Sequence, residues 1–345
     1  MVRTVSRKIR WTRTVIQISD ADSFFSSLWQ RVQTLEQTHR QNPLGVDLLV
    51  NSTKRYLSRP EYRIQLDELF AEETERLIEE IDTSVFTAQG GWDVENYRNK
   101  IALYESATEP LVRMFGVLGR WGDGSELSLV LDVIRAIYMH ADKVGGGLTV
   151  WLNIRSYPAV LIFTAYGLGL VRAQRWNVLH RSLSSMITRQ HHDSQRIVEA
   201  LFLGSWKGGG NDIWRHLAGL EDRKTALSDH LLDLFLDWSK SFVGISSDFE
   251  RLFEHFEILA SIVHLESTVS DELDRALADE TGRVWVRMPV GRSGWHSSTR
   301  EQVLKHIESD DIKKVLLEAA FAKGSDLFFD KSIANYRRIA GRMEW

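Results

Sequence analysis

Three groups of residues in this sequence have the side chains and spacing for chemistry. The first is His191-His192-Asp193, with His180 upstream and Asp212 downstream. Imidazole and carboxylate ligands in that order could hold a metal ion for a helical metal-dependent hydrolase, provided they converge in space. Against this, His180 lies only about three helical turns before the triplet, and the triplet sits in a polar, helix-breaking stretch. The alternative is a surface loop that opens the next helix. The second group runs through 283–296: Arg283, Trp285, Arg287, Arg292, Trp295 and His296. Aromatic faces between guanidinium groups can stack bases and hold phosphates, so this is a candidate nucleic-acid contact. Its alternative is a loop that docks its Trp side chains into a helical body. The third group is an acidic ladder, Glu68, Glu72, Glu75 and Glu79, on one side of a helix expected over 62–81. Di-metal helical bundles pair such carboxylates with a Glu-x-x-His. No His stands between His39 and His140, so the ladder reads as a solvated helix face.

Other chemistry is missing from the sequence. There is no cysteine, which excludes disulfides, thiolate metal sites and cysteine nucleophiles. There is no His-Glu-x-x-His, no Gly-x-Ser-x-Gly and no phosphate-binding Gly-Lys loop. The triple glycines at 145–147 and 208–210 lack the strand before and the Lys after that a phosphate cradle needs. They read as turns or hinges. No catalytic residue, cofactor-binding residue or metal ligand is therefore assigned, no cofactor is expected, and the chain is expected not to be an enzyme.

Composition limits the partners. The net charge of -4 gives no global field toward nucleic acid or an acidic membrane. At 43% hydrophobic and 26% charged the chain can bury a core. The longest apolar run, Ser156–Val171, is 16 residues with Pro158, Gly167 and Gly169 inside it. A spanning helix needs roughly 20, so a buried core helix is expected, with no membrane and a cytoplasmic location. The start carries Arg3, Arg7, Lys8, Arg10 and Arg13 without an acid. It lacks the apolar core of a secretory signal and reads as a solvated lead-in to a strand, rather than a transit peptide.

The elements that would position these groups are mostly helices, since only 5 prolines interrupt the chain. Residues 14–18 read as a strand. Phe24, Phe25, Leu28, Val32 and Leu35 follow at helical spacing after the cap-rich Ser19-Asp20-Ala21-Asp22. A lone strand cannot satisfy its own backbone, so this piece needs other strands or a partner surface. Phe24, Phe25, Leu28 and Trp29 are then a candidate interface with a protein partner or a second copy. Helices are expected over 44–57, 62–81, from Asp93 toward Trp121 with a kink at Pro110, and over 126–143, 148–171 and 176–189. The last two are separated by the basic turn Arg172 to Arg175. A helix pair is expected over 225–242 and 248–265, the second with a buried stripe of Phe249, Leu252, Phe253, Phe256, Leu259, Ile262 and Val263. Strands are expected only near 14–18 and 284–290. The fold class is mainly α: an irregular multi-helix array with a short N-terminal strand-helix remnant and a short extended segment near 284–290. Three domains are expected, 1–42, 43–207 and 208–345.

Several stretches carry a family resemblance. Val15-Ile16-Gln17-Ile18-Ser19-Asp20-Ala21-Asp22-Ser23-Phe24-Phe25 resembles the last strand and helix of the sirtuin-like domain of bacterial SIR2-family proteins. Lys54-Arg55-Tyr56-Leu57, Tyr62-Arg63-Ile64-Gln65-Leu66, Tyr157-Pro158-Ala159-Val160-Leu161 and Pro289-Val290-Gly291-Arg292 resemble the helical region that follows it. The resemblance implies residues 1–42 as the remnant of a Rossmann-like domain that binds and cleaves NAD, often in anti-phage defence. The helical remainder would serve sensing or assembly. The family's Gly-Ala-Gly-x-Ser loop and catalytic His lie ahead of the matching region. No residue here corresponds to either, so no catalytic or NAD-binding position is carried over. The implied role is a non-catalytic regulatory, sensor or assembly module of a truncated or split protein. Its partner would be another protein, a second copy or a separate NAD-cleaving subunit, with nucleic acid not expected.

Overall fold

A helix that is apolar on every side has to be buried, and the rest of this architecture is arranged to bury one. The computed structural model describes residues 45–345, apart from 83–85, 144–145, 189–193, 245–247, 280, 282 and 344–345. In chain order the helices are α1 (Val46–Leu57), α2 (Arg63–Glu80), α3 (Val94–Trp121), α4 (Leu127–Asp142), α5 (Thr149–Ile154), α6 (Tyr157–Ala173) and α7 (Trp176–Ser184). They continue as α8 (Ile197–Leu201), α9 (Asn211–Trp214), α10 (Ala226–Trp238), α11 (Phe249–Leu265), α12 (Ser270–Ala278), α13 (Ser297–Ile307), α14 (Asp310–Glu318) and α15 (Asp326–Met343). The fold is mainly α.

Every residue of α6 from Tyr157 to Val171 is buried. The span Thr149–Ala173 is long and apolar enough to cross a membrane, yet 94% of its most apolar window is covered by the rest of the protein. Its main neighbour is α3. The two backbones come close enough to exclude side chains at the crossing. A Cβ on Gly119 would lie 2.4 Å from the Tyr166 carbonyl, and one on Gly169 would lie 2.5 Å from the Gly116 carbonyl. Helix α3 starts where its sequence says it should: Asp93 Oδ2 accepts from the Asn96 N–H at 2.8 Å. It continues through Pro110, where the sequence predicts a kink. Leu111, Val112, Met114 and Phe115 just beyond are fully buried, so packing holds the helix on both sides of the proline. On α2 the ladder Glu68, Glu72, Glu75 and Glu79 faces solvent, while Leu66, Leu69, Phe70 and Leu77 face the core.

Helix α11 is the second pillar. It touches α6, α7, α13 and α15 and joins the C-terminal helices to the central pair. Residues 46–345 form one compact unit, so the boundary expected at 207–208 does not divide it. The reason is visible at the second triple glycine. A Cβ on Gly209 would lie 1.9 Å from the Leu203 carbonyl, and one on Gly208 would run into the Trp206 ring. The glycines make a turn wrapped tightly on a buried Trp, where a linker would have been loose.

The strands differ from expectation. Met186–Ile187 pairs antiparallel with Gln195–Arg196, where the sequence predicts the end of a helix. Helix α7 stops at Ser184. What fixes this hairpin is tertiary: Ile187 is fully buried, and Arg196 NH1 and NH2 donate to the carbonyls of Val263 and His264, both at 2.8 Å. Arg196 thus satisfies orphan carbonyls at the C-terminal end of α11. Residues 284–290, expected as a strand, form none and carry no regular secondary structure. Side chains hold them in place of a ladder: Ser261 Oγ donates to the Pro289 carbonyl at 2.6 Å, and Asn335 Nδ2 donates to the Val286 carbonyl at 3.3 Å. The strand expected at 14–18 and the domain expected over 1–42 lie outside the described residues.

Candidate functional site

Helix α11 has two faces of opposite chemistry. On one side Glu250, Glu254 and Glu257 stand at i, i+4 and i+7, one stripe of a helix. On another, Arg251, Leu252 and His255 share a stripe by the same geometry.

The carboxylate side closes on Arg292. The Arg292 Nε donates to Glu254 Oε1 at 3.2 Å, its NH2 donates to Glu250 Oε1, and its NH1 stands 3.8 Å from Asp229 Oδ1. The Arg292 backbone N–H donates to Ser228 Oγ at 2.9 Å, and Ser228 Oγ donates to Glu257 Oε1 at 2.6 Å. Ser293 and Tyr336 join their hydroxyls beside it, and Arg300 NH1 donates to the carbonyls of Ser293 and Gly294, each at 3.3 Å. Four carboxylates around so few cations cannot all stay ionised in a dry interior. Burial pushes the Glu257 carboxyl up to about 8, with Ser228 pulling the other way. Burial also pushes Glu254 up to about 7, opposed by Arg292. A Cβ on Gly291 would strike Glu257 Oε2 at 2.2 Å, so the chain here approaches the carboxyl as closely as glycine permits. This is a largely buried ionic knot centred on Arg292, with Glu250 at its half-exposed edge.

The other side of α11 opens on a cavity of about 320 Å³. Val171, Arg172, Gln174 and Trp176 line it from the α6–α7 turn, Asp248, Arg251, Leu252 and His255 from α11, and Val303 and His306 from α13. Arg172, Gln174, Arg251 and His306 are exposed at its mouth, while Val171, Trp176, His255 and Val303 form a buried floor. Asp248 Oδ2 takes the Nε of Arg251 at 2.7 Å and fixes the plane of that guanidinium. Arg172 has no ion-pair partner among the described residues. The His255 ring packs against Trp176 at 5.3 Å and His306 at 5.6 Å, and its buried Nε2 has no hydrogen-bond partner among the described residues. Burial first, then the charges of His306 and Arg251, hold His255 down at about 3, so it is neutral near pH 7. A neutral imidazole carries one donor and one acceptor nitrogen. Gln174 ends α6 in the left-handed region at φ 57°, where glycine is the cheap residue. A side chain kept in a strained backbone at the lip of a cavity is a mark of a functional position.

A third constellation is a brace. Glu105 Oε1 accepts from the Tyr157 hydroxyl at 2.9 Å and from His230 Nε2 at 2.5 Å, tying α3, α6 and α10 together. It adjoins an aromatic cluster in which Trp214 stacks near Tyr157 at 5.0 Å and His230 at 5.5 Å. The Trp214 Nε1 donates to the Gly208 carbonyl at 2.7 Å.

The groups singled out from sequence fare differently. Arg283 and Trp285 are exposed, with Trp285 53% accessible, and Arg287 is exposed but donates to the Gly204 carbonyl at 3.2 Å. Arg292 is buried in the ionic knot. The Trp295 ring is half-buried under the Lys224 ammonium, 2.9 Å from its centroid. The five do not share one surface, because the tight turn at Gly291 and Gly294 drives Arg292 and Trp295 inward. His296 stands 3.9 Å from Glu250. His191–Asp193 and the candidate interface residues Phe24, Phe25, Leu28 and Trp29 lie outside the described residues. Of the other metal candidates, His180 Nε2 is engaged with Glu266 at 3.1 Å, and Asp212 is fully exposed beside Arg215. Among the described residues no group of three or more His, Asp or Glu side chains is placed to hold a metal ion. The cavity itself was not singled out, although the basic turn Arg172 to Arg175 was its one local signal.

No family model, no curated protein and no solved structure matches this chain.

Proposed function

We propose that this chain is a helical sensor module that binds a small ligand in the cavity beside His255 and performs no bond-breaking chemistry of its own. One observation carries the reading. The cavity of about 320 Å³ is rimmed by two arginines, a glutamine and a histidine over a buried floor that includes the His255 ring. Ligand pockets of drug-sized molecules begin at about 300 Å³ and are mostly apolar walls with a few placed polar groups. The cavity here is of that size, with a lining more polar than apolar that puts its donors at the mouth.

The position of the cavity suits a sensor. It sits where α6, α7, α11 and α13 meet, so a ligand held there touches both the central helix pair and the C-terminal helices. This reading agrees with the resemblance to the helical region that follows a sirtuin-like domain, whose implied role is sensing or assembly beside an NAD-cleaving unit. The output would be a changed association with a protein partner or a second copy.

The test has two arms. Purified chain is incubated with NAD while nicotinamide release is followed; none is expected, and turnover that persists in repurified protein would end the non-catalytic reading. In parallel, thermal melting is followed across a library of polar metabolites for the wild type and for Leu252→Trp, which fills the cavity from its wall. A ligand that raises the melting point of the wild type and not of the variant is expected. A library in which no compound separates the two proteins would end the sensor reading.

A further inference from the structure

The charge and shape of the cavity narrow the class of its ligand. Its mouth carries Arg172 and Arg251, with Gln174 and His306 between them as further donors. Its acid, Asp248, is turned onto Arg251 Nε. That bond leaves the two terminal nitrogens of the guanidinium as the natural donors for an incoming anion, and a guanidinium fork matches the oxygens of a phosphate. Helices α7 and α11 both begin at the rim, with Trp176 and Asp248, and the N-terminal end of a helix adds partial positive charge. Helix α6 ends there as well and offsets part of it. The Arg120 side chain stands just outside, donating to the Arg172 carbonyl at 3.0 Å.

The interior is different. Val171, Leu252 and Val303 form an apolar wall, and Trp176 and His255 close the bottom. A bare oxyanion would be served by the mouth alone and would leave this wall wet. The His255 ring lies on the same floor, packed against Trp176 and His306.

We propose that the cavity binds a phosphomonoester of a small molecule, with Arg172 and Arg251 on the phosphate and Val171, Leu252 and Val303 against the body. The proposal rests on the sensor reading above and adds the ligand class. Gln174, exposed in the lining of the mouth, supplies an amide donor to the phosphate.

Calorimetric titration of the whole chain with a panel of sugar and nucleoside monophosphates tests it, with the matching phosphate-free sugars and nucleosides and inorganic phosphate as controls. At least one monophosphate should bind, at least tenfold more tightly than inorganic phosphate and than its own phosphate-free form. Arg172→Glu, an exposed change that leaves the core untouched, should weaken that binding by at least tenfold. Arg172→Lys should keep part of it, and Leu252→Trp should abolish it. Monophosphates that bind no better than their phosphate-free forms, or equally well to Arg172→Glu, overturn the ligand class. If in that case a phosphate-free compound still separates wild type from Leu252→Trp, the sensor reading stands and only the ligand class falls. If nothing separates them, both fall.

Discussion

The two faces of α11 put the same kinds of charged groups into opposite situations. On one face Glu254, Glu257 and Arg292 are buried together with Glu250 at their half-exposed edge, and the Arg292 charge is met by the carboxylates of Asp229, Glu250 and Glu254. On the other, Arg172 and Arg251 stand at an open mouth over a buried histidine, and no carboxylate comes to Arg172 among the described residues. A sealed cluster must balance its own charge, because desolvation penalises any ion left alone. An open one need not, because water serves until something better arrives. The sealed face therefore reads as structure and the open face as a site.

The largest effect that would sharpen this contrast is at Arg292. Replacing it with Ala leaves Glu250, Glu254 and Asp229 facing one another without their cation, and breaking a buried pair this way costs about 3–5 kcal/mol. Urea denaturation of Arg292→Ala should show that loss. A change below about 1 kcal/mol would mean that the knot is no more than a surface ion pair.

Next in size are opposite pH limbs from the two faces. Glu257 and Glu254, ordinarily at 4.5, are raised to about 8 and about 7 by burial. Between those values the folded state holds more protons than the unfolded chain, so their contribution is complete below 4.5 and is lost as pH rises through 7 to 8. His255, ordinarily at 6.5, is lowered to about 3 by burial and its cationic neighbours. Its contribution is present above 6.5 and is lost as pH falls toward 3. His264, lowered to about 4 chiefly by burial, acts in the same direction. Stability should thus be greatest across about pH 4.5–6.5, where the two pairs offset one another, and fall on either side. Glu257→Gln should flatten the alkaline limb and leave the acid limb unchanged, as followed by urea midpoints across pH. An alkaline limb of unchanged slope in Glu257→Gln would show that its carboxyl is not the group titrating there.

A smaller effect has the opposite sign. Gln174→Gly relieves a left-handed residue and should stabilise the chain by about 0.5–1 kcal/mol. If the side chain serves the cavity, the same change should weaken ligand binding. A Gln174→Gly chain that is both more stable and undiminished in binding would make this residue an ordinary helix cap. The smallest effect belongs to Arg172→Ala. An exposed, unpaired arginine should change stability by no more than about 0.5 kcal/mol, the mirror image of Arg292→Ala. A large loss in urea would mean that Arg172 holds the fold together and that the two faces differ less than they look.

Much of the scaffold was legible. The stripe on α11 is buried as its spacing predicts, at Phe249, Phe253, Phe256, Leu259, Ile262 and Val263. Leu252, the remaining member, is only half-buried, because it faces the cavity. The candidate site was much less legible. For 283–296 the residues left two readings open, a basic-aromatic contact and a loop docking its Trp side chains; the turn through Gly291 and Gly294 carries Arg292 and Trp295 inward while Trp285 stays exposed. The hairpin at Met186–Ile187 was hidden because Arg196 finds its partners on the far end of α11, a contact no local window contains.

By itself the sequence determined the helices, their apolar stripes, the Asp93 cap and the burial of Tyr157–Val171. All of these follow from side chains a few residues apart on one turn of backbone. Only the tertiary structure decided which arginines are sealed and which are open, that 46–345 is one unit, and that Arg172, Arg251, His255 and His306 share a cavity. Helical periodicity sets which way a side chain points from its own helix. Which element stands opposite is decided by packing the whole core, and packing is a property of segments far apart in the chain.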